Sequence, residues 1–449
     1  MTRTDKLYPA FGAQRPAFGA RRSALRRRSA LGARRAALDA WCSALGVGRP
    51  ALAGLAFGFV IAGGGTARAQ TLPPDPVEVG SLQVGPLALS PRFEVLNVGV
   101  DSNIFNEEDG PKEDFTATMR PSLDGGVRLG RARLTYRTHV DIVYFQQYTD
   151  ERALNRSAQG RAELRLARIV PYVSVGGATT RERPNSEIDL RAKRGTQSLG
   201  GGATVLLLSR TALVVGAERQ TVRYGAGQQF GGEDLAIQLN NTRDTIETGF
   251  RLALTPLTTL AVVGSREQVR FEFSPERDSE SIRFMNRFEF DPTAIITGTA
   301  AIGYRRFVPK SPALKEYSGL VAQVEVRYTM FGRTRVETRF TRDVEYSFQS
   351  DQPYYVTTGG LLTVTQQVGG PFDVQVVAGR ERLRYQPRTD IDVDEPALDT
   401  TSTIGGGVGY RLGHSARLGA NVEFTDRESP RSGRSYGRRR IFGSVTYRF

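Results

Sequence analysis

His139 and Asp141 lie two residues apart, and an imidazole beside a carboxylate is half of the set with which a hydrolase activates a serine. A period of two places both on one face of a β-strand. Spacing assigns them no serine partner, and the pattern favours a polar wall. The other histidine, His414, falls in a turn. Asp101, Asn103, Glu107, Glu108 and Asp109 crowd one loop; Asp390, Asp392, Asp394 and Glu395 crowd another. Oxygen-rich loops are the chemistry of Ca²⁺. Neither has the glycine-punctuated spacing of an EF-hand, so both read as solvated loop charge, with Ca²⁺ at 101–109 and 390–395 left open. The basic cluster Arg431, Arg434, Arg438, Arg439 and Arg440 reads as a charged rim, or as a patch for lipopolysaccharide phosphates. Cys42 is the only cysteine, which rules out a His/Cys metal site. No catalytic set, metal or cofactor is expected.

Most charged residues instead recur at every second position. In 333–341, Arg335, Glu337 and Arg339 share one face, while Val336, Thr338 and Phe340 share the other. Strand 131–145 sets Arg133, Arg137, His139 and Asp141 against Leu134, Tyr136, Val140, Ile142 and Tyr144. Segment 320–330 sets Glu325 and Arg327 against Leu320, Val324, Val326 and Tyr328. The same reading adds Arg161, Glu163, Arg165, Arg251, Arg270, Glu272, Arg283, Arg287, Glu289, Arg417 and Glu423 to the charged face. An Arg or Lys facing lipid near the midplane costs roughly 2–4 kcal/mol. The charged face therefore points into a lumen, and interleaved signs predict a hydrophilic wall that weakly favours anions. Two places break the rule: Arg342 falls on an apolar parity, and 372–385 changes phase around Gly379. A β-bulge or the end of the lipid band explains either.

The strands that carry these faces follow a beat of about forty residues, with tight turns at Gly130-Arg131, Phe331-Gly332 and Gly369-Gly370 and looser polar loops midway between. This is the layout of an all-β, antiparallel, up-and-down transmembrane barrel of about 18 strands, even in number as single-chain bacterial barrels require. A β-propeller needs shorter strands, with turns every eight to twelve residues. Eighteen tilted strands imply a backbone cylinder of roughly 35 Å and a lumen on the order of 20 Å. The loops look too short to constrict it.

The first 69 residues hold 12 Lys/Arg against 2 Asp/Glu, so the rest carries 49 against 45 and nucleic-acid binding is not expected. Pro50 to Ala62 is an apolar run too short to span as a helix, and Ala67-Arg68-Ala69 before Gln70 is a small-x-small cleavage site. The expected organisation is a signal peptide with an over-long Arg/Ala-rich leader (1–69), a periplasmic arm (70–90) and the barrel (91–449). The last strand alternates to Tyr447 and Phe449, a terminal aromatic that fits an assembly signal for the barrel-assembly machinery.

Gly99, Asp101, Asn103, Ile104 and Phe105 match a G-x-D-x-N-(I/V)-F core, and with Leu82–Phe93 and Met119–Leu123 they give the opening of the chain a resemblance to the outer-membrane β-barrel porins of the "porin 2" superfamily. The resemblance implies a bacterial outer-membrane barrel amid lipid and lipopolysaccharide. Some members are similar to exopolysaccharide-export barrels, which implies a passive conduit for a polymer and a periplasmic polysaccharide-export partner. A general or solute-specific diffusion porin and a non-conducting structural barrel are the alternatives.

Overall fold

The computed structural model describes residues 82–291, 294–390, 397–413 and 415–448. The leader, the cleavage site at Ala67, Ala69 and Gln70, residues 70–81 of the arm, acidic residues Asp392, Asp394 and Glu395, His414 and Phe449 lie outside them.

Alternation of β-branched and aromatic residues with polar ones over a dozen positions favours long strands exposed on both faces. Among the described residues eighteen such strands form the wall. They are β1 (Leu87–Asp101), β2 (Asp114–Leu129), β3 (Ala132–Phe145), β4 (Ala153–Leu164), β5 (Ile169–Glu182) and β6 (Ala192–Leu208). Next come β7 (Thr211–Tyr224), β8 (Asn241–Thr255), β9 (Thr258–Phe271), β10 (Ser279–Phe290), β11 (Ile296–Pro309) and β12 (Tyr317–Met330). The last are β13 (Thr334–Tyr346), β14 (Tyr354–Gly369), β15 (Phe372–Gln386), β16 (Leu398–Leu412), β17 (Ala416–Glu428) and β18 (Tyr436–Arg448). Each pairs antiparallel with the next, and β1 closes on β18, with Val95 opposite Val445 and Asp101 opposite Arg440. Closure leaves no free sheet edge, which lipid would not tolerate.

The wall begins at Leu87 instead of 91, because Leu82–Val84 turns back to pair with Leu87–Leu89. At the tight-turn end, Arg333 N donates to Met330 O across Phe331-Gly332, whose φ values are both positive, 48° and 68°. Two-residue hairpins use such mirror-image turns because their twist matches that of the strands.

Alternation gives the wall two faces. Leu134, Ile142, Val173, Leu199, Phe250, Ile302, Leu320, Ile404 and Ile441 are exposed on the outside, as a lipid-facing band requires. Arg161, Glu247, Glu267, Arg305 and Glu423 are buried on the inside. Strand β1 changes phase through a bulge between Val95 and Val98, where Asn97 has φ 54°. Strand β15 does not. It pairs with β16 without a shift, Asp373, Gln375, Glu381 and Tyr385 stay buried, and Arg380, Arg382 and Arg384 stay exposed on the outer face. Arg342 is likewise outside. The end of the lipid band, not a bulge, accounts for both.

The β13–β14 hairpin parts from β12 near its outer end, while β14 stays paired with β15 as far as Tyr354 opposite Gln386. Pairing of β12 with β13 stops at Ala322 opposite Arg342, while β13 and β14 stay paired as far as Tyr346 opposite Tyr354. Beyond that point Val344, Tyr346, Tyr354 and Val356 are buried, and so are Tyr355 and Thr357 on the other face. A strand pair buried on both faces has protein on both sides, so the hairpin leans over the lumen.

Candidate channel and its extracellular constriction

The inner wall is a set of ion pairs, most of them between strands. Arg120 engages Asp141, and Arg137 lies within hydrogen-bond reach of Asp124. Arg165 pairs with Glu163 at 3.0 Å, Arg327 with Glu337 at 2.7 Å, Arg339 with Glu325 at 3.3 Å and Arg251 with Glu289. Arg283 reaches Asp343 at 2.9 Å, and Arg417 reaches Asp373 at 2.6 Å. Arg440 lies 3.5 Å from Glu423. Strand parity puts Arg133, His139, Arg161, Arg287 and Arg335 on this same face. Ser122 and Ser157 are the register partners that flank His139, but both Asp141 oxygens accept from Arg120, so the carboxylate that would orient the imidazole is committed elsewhere.

Two residues expected on the inner wall stand outside it. Arg270 and Glu272 are exposed; Arg270 pairs with Asp244 at 3.4 Å, and Glu272 with Arg223 at 3.6 Å. The inward residue of β9 is Glu267, which lies 2.8 Å from buried Arg305. Hydrophobicity could not set the phase of this strand. Ala261, Val263 and Val269 face a crowded interior while Leu260 and Val262 face out, so both parities look apolar. Arg305 was missed because Arg306 follows it, and either could have been the inward one.

The longer loops converge over the axis. Loop 183–191, after β5, meets loop 347–353, after β13, eight strands away in a barrel of eighteen and so nearly opposite. Five extended residues reach about 16 Å, roughly half of the estimated cylinder, and two such loops close the gap. Glu187, with 0% exposure, accepts from Ser347 Oγ and from Phe348 N at 3.3 Å. Arg277, from the β9–β10 loop and 2% exposed, donates to three carbonyls of the facing loop: Ser347 O, Phe348 O at 3.4 Å and Gln349 O at 2.7 Å. Burial pushes the Glu187 carboxyl up to about 7 and the Arg277 guanidinium down to about 10.

Loop 183–191 is also tied to the other side of the mouth. Arg427 donates to Ser186 O and Asp189 at 2.9 Å each, Asn106 to Asp189 at 2.7 Å, and Arg434 to Glu187 O at 2.6 Å. Beneath these bonds Ile188, Leu235, Leu239, Phe271, Phe307, Tyr346, Phe348 and Tyr354 form one buried apolar cluster. Phe271 meets Tyr346 and Phe230 meets Phe348 edge-on, each pair with centroids 4.9 Å apart. The expectation of a wide, unobstructed lumen fails here. Loop length suggested it, but leaning strands and inward-turned loops carry the chain to the axis.

The basic cluster near the last strand is mostly spent inside. Arg438 pairs with Asp101, Arg440 with Glu423 and Arg434 with Asp399, while Arg431 stacks 4.7 Å from the Tyr385 ring. Arg439 alone of the five takes the outward parity. Asp101 and Asn103 are likewise engaged, Glu107 pairs with Lys112 at 2.9 Å, and Glu108 accepts from Gly433 N. Among the described residues no group of three or more His, Cys, Asp or Glu is placed to hold a metal.

The family model described as "Putative beta-barrel porin 2" matches residues 75–449. The chain belongs to this family. It is an outer-membrane β-barrel porin, a channel and not an enzyme. No curated protein matches the sequence. Solved structures similar to it include a BenF-like porin from Pseudomonas fluorescens Pf-5, with TM-score 0.44, 11% identity, and coverage of 82% of this chain and 100% of that one. OpdO from Pseudomonas aeruginosa has TM-score 0.43 and 11% identity, over 80% and 97%. The siderophore receptor PirA from Pseudomonas aeruginosa has TM-score 0.38 and 10% identity, over 82% and 81%.

In this porin the G-x-D-x-N-I-F segment clasps the seam where the barrel closes. Asn103 donates to Gly437 O at 3.1 Å and Ser102 N to Arg439 O at 2.9 Å, while Asp101 holds Arg438. A Cβ at Gly99 would collide with the carbonyl oxygen of Ile441, so the two backbones approach too closely for any side chain there. Phe105 anchors the loop edge-on against Tyr148, centroids 5.1 Å apart.

Proposed function

We propose that this porin is a passive channel for small polar solutes, weakly favouring anions, whose extracellular mouth its own loops hold nearly closed. The observation that carries this reading is the meeting of loops 183–191 and 347–353 across the mouth, held by Glu187 and Arg277. A bore of about 20 Å favoured polymer export; loops packed over the axis remove that support and favour a solute that slips past them. Below the mouth, inner-wall charges of both signs, such as Arg327 with Glu337, hydrate a polar solute without the strong single-sign field of a selective filter.

The test uses the purified full-length protein in planar bilayers and in swelling liposomes. Small, brief conductance steps with a modest anion preference, and entry of mono- and disaccharides but not long oligosaccharides, are the expected result. Large, continuous conductance with passage of long polysaccharide would return the reading to export. Absence of current at every voltage would make the barrel a structural one.

A further inference from the structure

Two groups of outward arginines stand near the extracellular end of the wall. On β7 to β12 they are matched by carboxylates: Arg219 with Asp244 at 2.6 Å, Arg266 with Glu280 at 2.7 Å, Arg306 with Glu316 at 2.9 Å. On β15, Arg380, Arg382 and Arg384 are exposed and have no carboxylate partner among the described residues. Their cross-strand neighbours are Gly360, Thr358 and Val356 on one side and Ser402, Thr400 and Leu398 on the other. Arg342 adds a fourth cation from β13, opposite Thr358, to whose hydroxyl it donates at 2.9 Å. The outward carboxylates of β17, Asp426 and Glu428, lie two strands from β15, about 10 Å across the sheet.

The height of this stripe follows from its own strand. Below Arg380 the outer face of β15 reads Phe372, Val374, Val376 and Ala378, and Phe372 packs edge-on against Tyr410 at 5.0 Å, as in the aromatic girdle at the periplasmic interface. Eight residues at about 3.3 Å rise and 40° tilt lift Arg380 roughly 20 Å above Phe372, and Arg384 stands roughly 30 Å above it. The apolar band of such barrels is about 25 Å tall. The three guanidinium groups therefore straddle the outer boundary of the hydrocarbon, spaced about 7 Å apart along the strand. Cations at that depth with no carboxylate partner among the described residues are well matched by an anion of the leaflet itself. The outer leaflet offers phosphate monoesters on the sugar headgroup of lipopolysaccharide, and a guanidinium fork binds phosphate by paired, charge-assisted hydrogen bonds.

We propose that Arg380, Arg382 and Arg384, flanked by Arg342, form a lateral binding site for the headgroup phosphates of lipopolysaccharide. The site accounts for a run of arginines on an outward parity, where a barrel strand otherwise places lipid-compatible residues.

The test measures binding of bis-phosphorylated lipid A to the full-length protein in mixed micelles, by native mass spectrometry and by titration. Wild type should bind bis-phosphorylated lipid A at least tenfold more tightly than the dephosphorylated form, a comparison that needs no variant. The R380Q/R382Q/R384Q variant, shown to be folded by its heat-modifiable migration, should lose that tenfold preference; Arg306→Gln should keep it. Equal binding of both lipid A forms, or a triple variant indistinguishable from wild type, would overturn the site. Equally tight binding of phosphatidylglycerol would overturn the assignment to lipopolysaccharide and leave only general anionic attraction.

Discussion

Replacing Arg277 with methionine keeps an aliphatic stem of similar length and removes the guanidinium that holds the Ser347, Phe348 and Gln349 carbonyls. The bonds to Ser347 and Gln349 are the strong ones, and a hydrogen bond to a charged group contributes about 1.5–3 kcal/mol. Water recovers part of that loss when the loop lifts, and the variant no longer desolvates a cation. A net weakening of loop docking by about 3 kcal/mol remains, which is close to a hundredfold in the ratio of docked to undocked mouths at 1.4 kcal/mol per decade. Single-channel recording reads this directly. Arg277→Met should lengthen and multiply open events and raise the mean current, with little change in anion preference because the inner wall is untouched. Protease nicking within 347–353 should rise in parallel. Wild-type current together with wild-type nicking would show that the bond set does not hold the mouth, and the constriction would lose its anchor.

Glu187 makes the mouth pH-sensitive: its carboxyl is pushed up to about 7 when docked, against about 4.3 for a free glutamate. The docked loop binds the proton more tightly, so this contribution to docking is complete below about pH 4.3 and is lost as pH rises toward 7, despite the opposing pull of Arg434. Current should therefore grow across that window and level off above it; Glu187→Gln should flatten the profile at the low-current end, and a profile unchanged by it would refute the assignment. At the seam, Asp101→Ala strands the buried Arg438 and should cost about 3–5 kcal/mol in urea unfolding from detergent, with part regained in D101A/R438L; an additive pair of effects would show that the two residues do not act together. Finally, a cysteine at 270 should react in whole cells with a bulky impermeant thiol reagent while one at 267 should not, and the opposite order would reverse the phase of β9.

The barrel is legible in the sequence because its physics is local. A period of two exposes one face to lipid and one to water, and Gly- or Pro-marked turns space the strands, so β3, β12 and β13 could be phased residue by residue. Where that logic weakens, so does the reading. In β9 small apolar residues occupy both faces and the parity inverts, which moved Arg270 and Glu272 to the wrong side. The constriction was invisible for a different reason. Ser186-Glu187 and Pro275-Glu276-Arg277 have the composition of solvated loops, and nothing along the chain says that they meet Ser347 and Phe348 about 160 and 70 residues away. The arginines of 431–440 looked like one patch, yet alternation sends Arg438 and Arg440 inward and Arg439 outward. Charge density is a sequence property, whereas the side it faces depends on register.

The seam clasp bears on the order in which the molecule is built. Every other strand pair joins chain neighbours and can zip as soon as both have emerged. Asp101 with Arg438 and Asn103 with Gly437 join residues separated by more than 330 positions, and nothing near them in the chain can substitute. Their loop-closure cost falls on the last act of assembly, after seventeen hairpin steps have already brought the ends together. The family motif at the end of the first strand is thus a latch that waits, unmade, for the final strand. A chain stalled with its last hairpin outside the wall would keep the lumen charges of β1 to β16 and still present Asp101 to water, so the solvent exposure of that one residue would report whether the cylinder had shut.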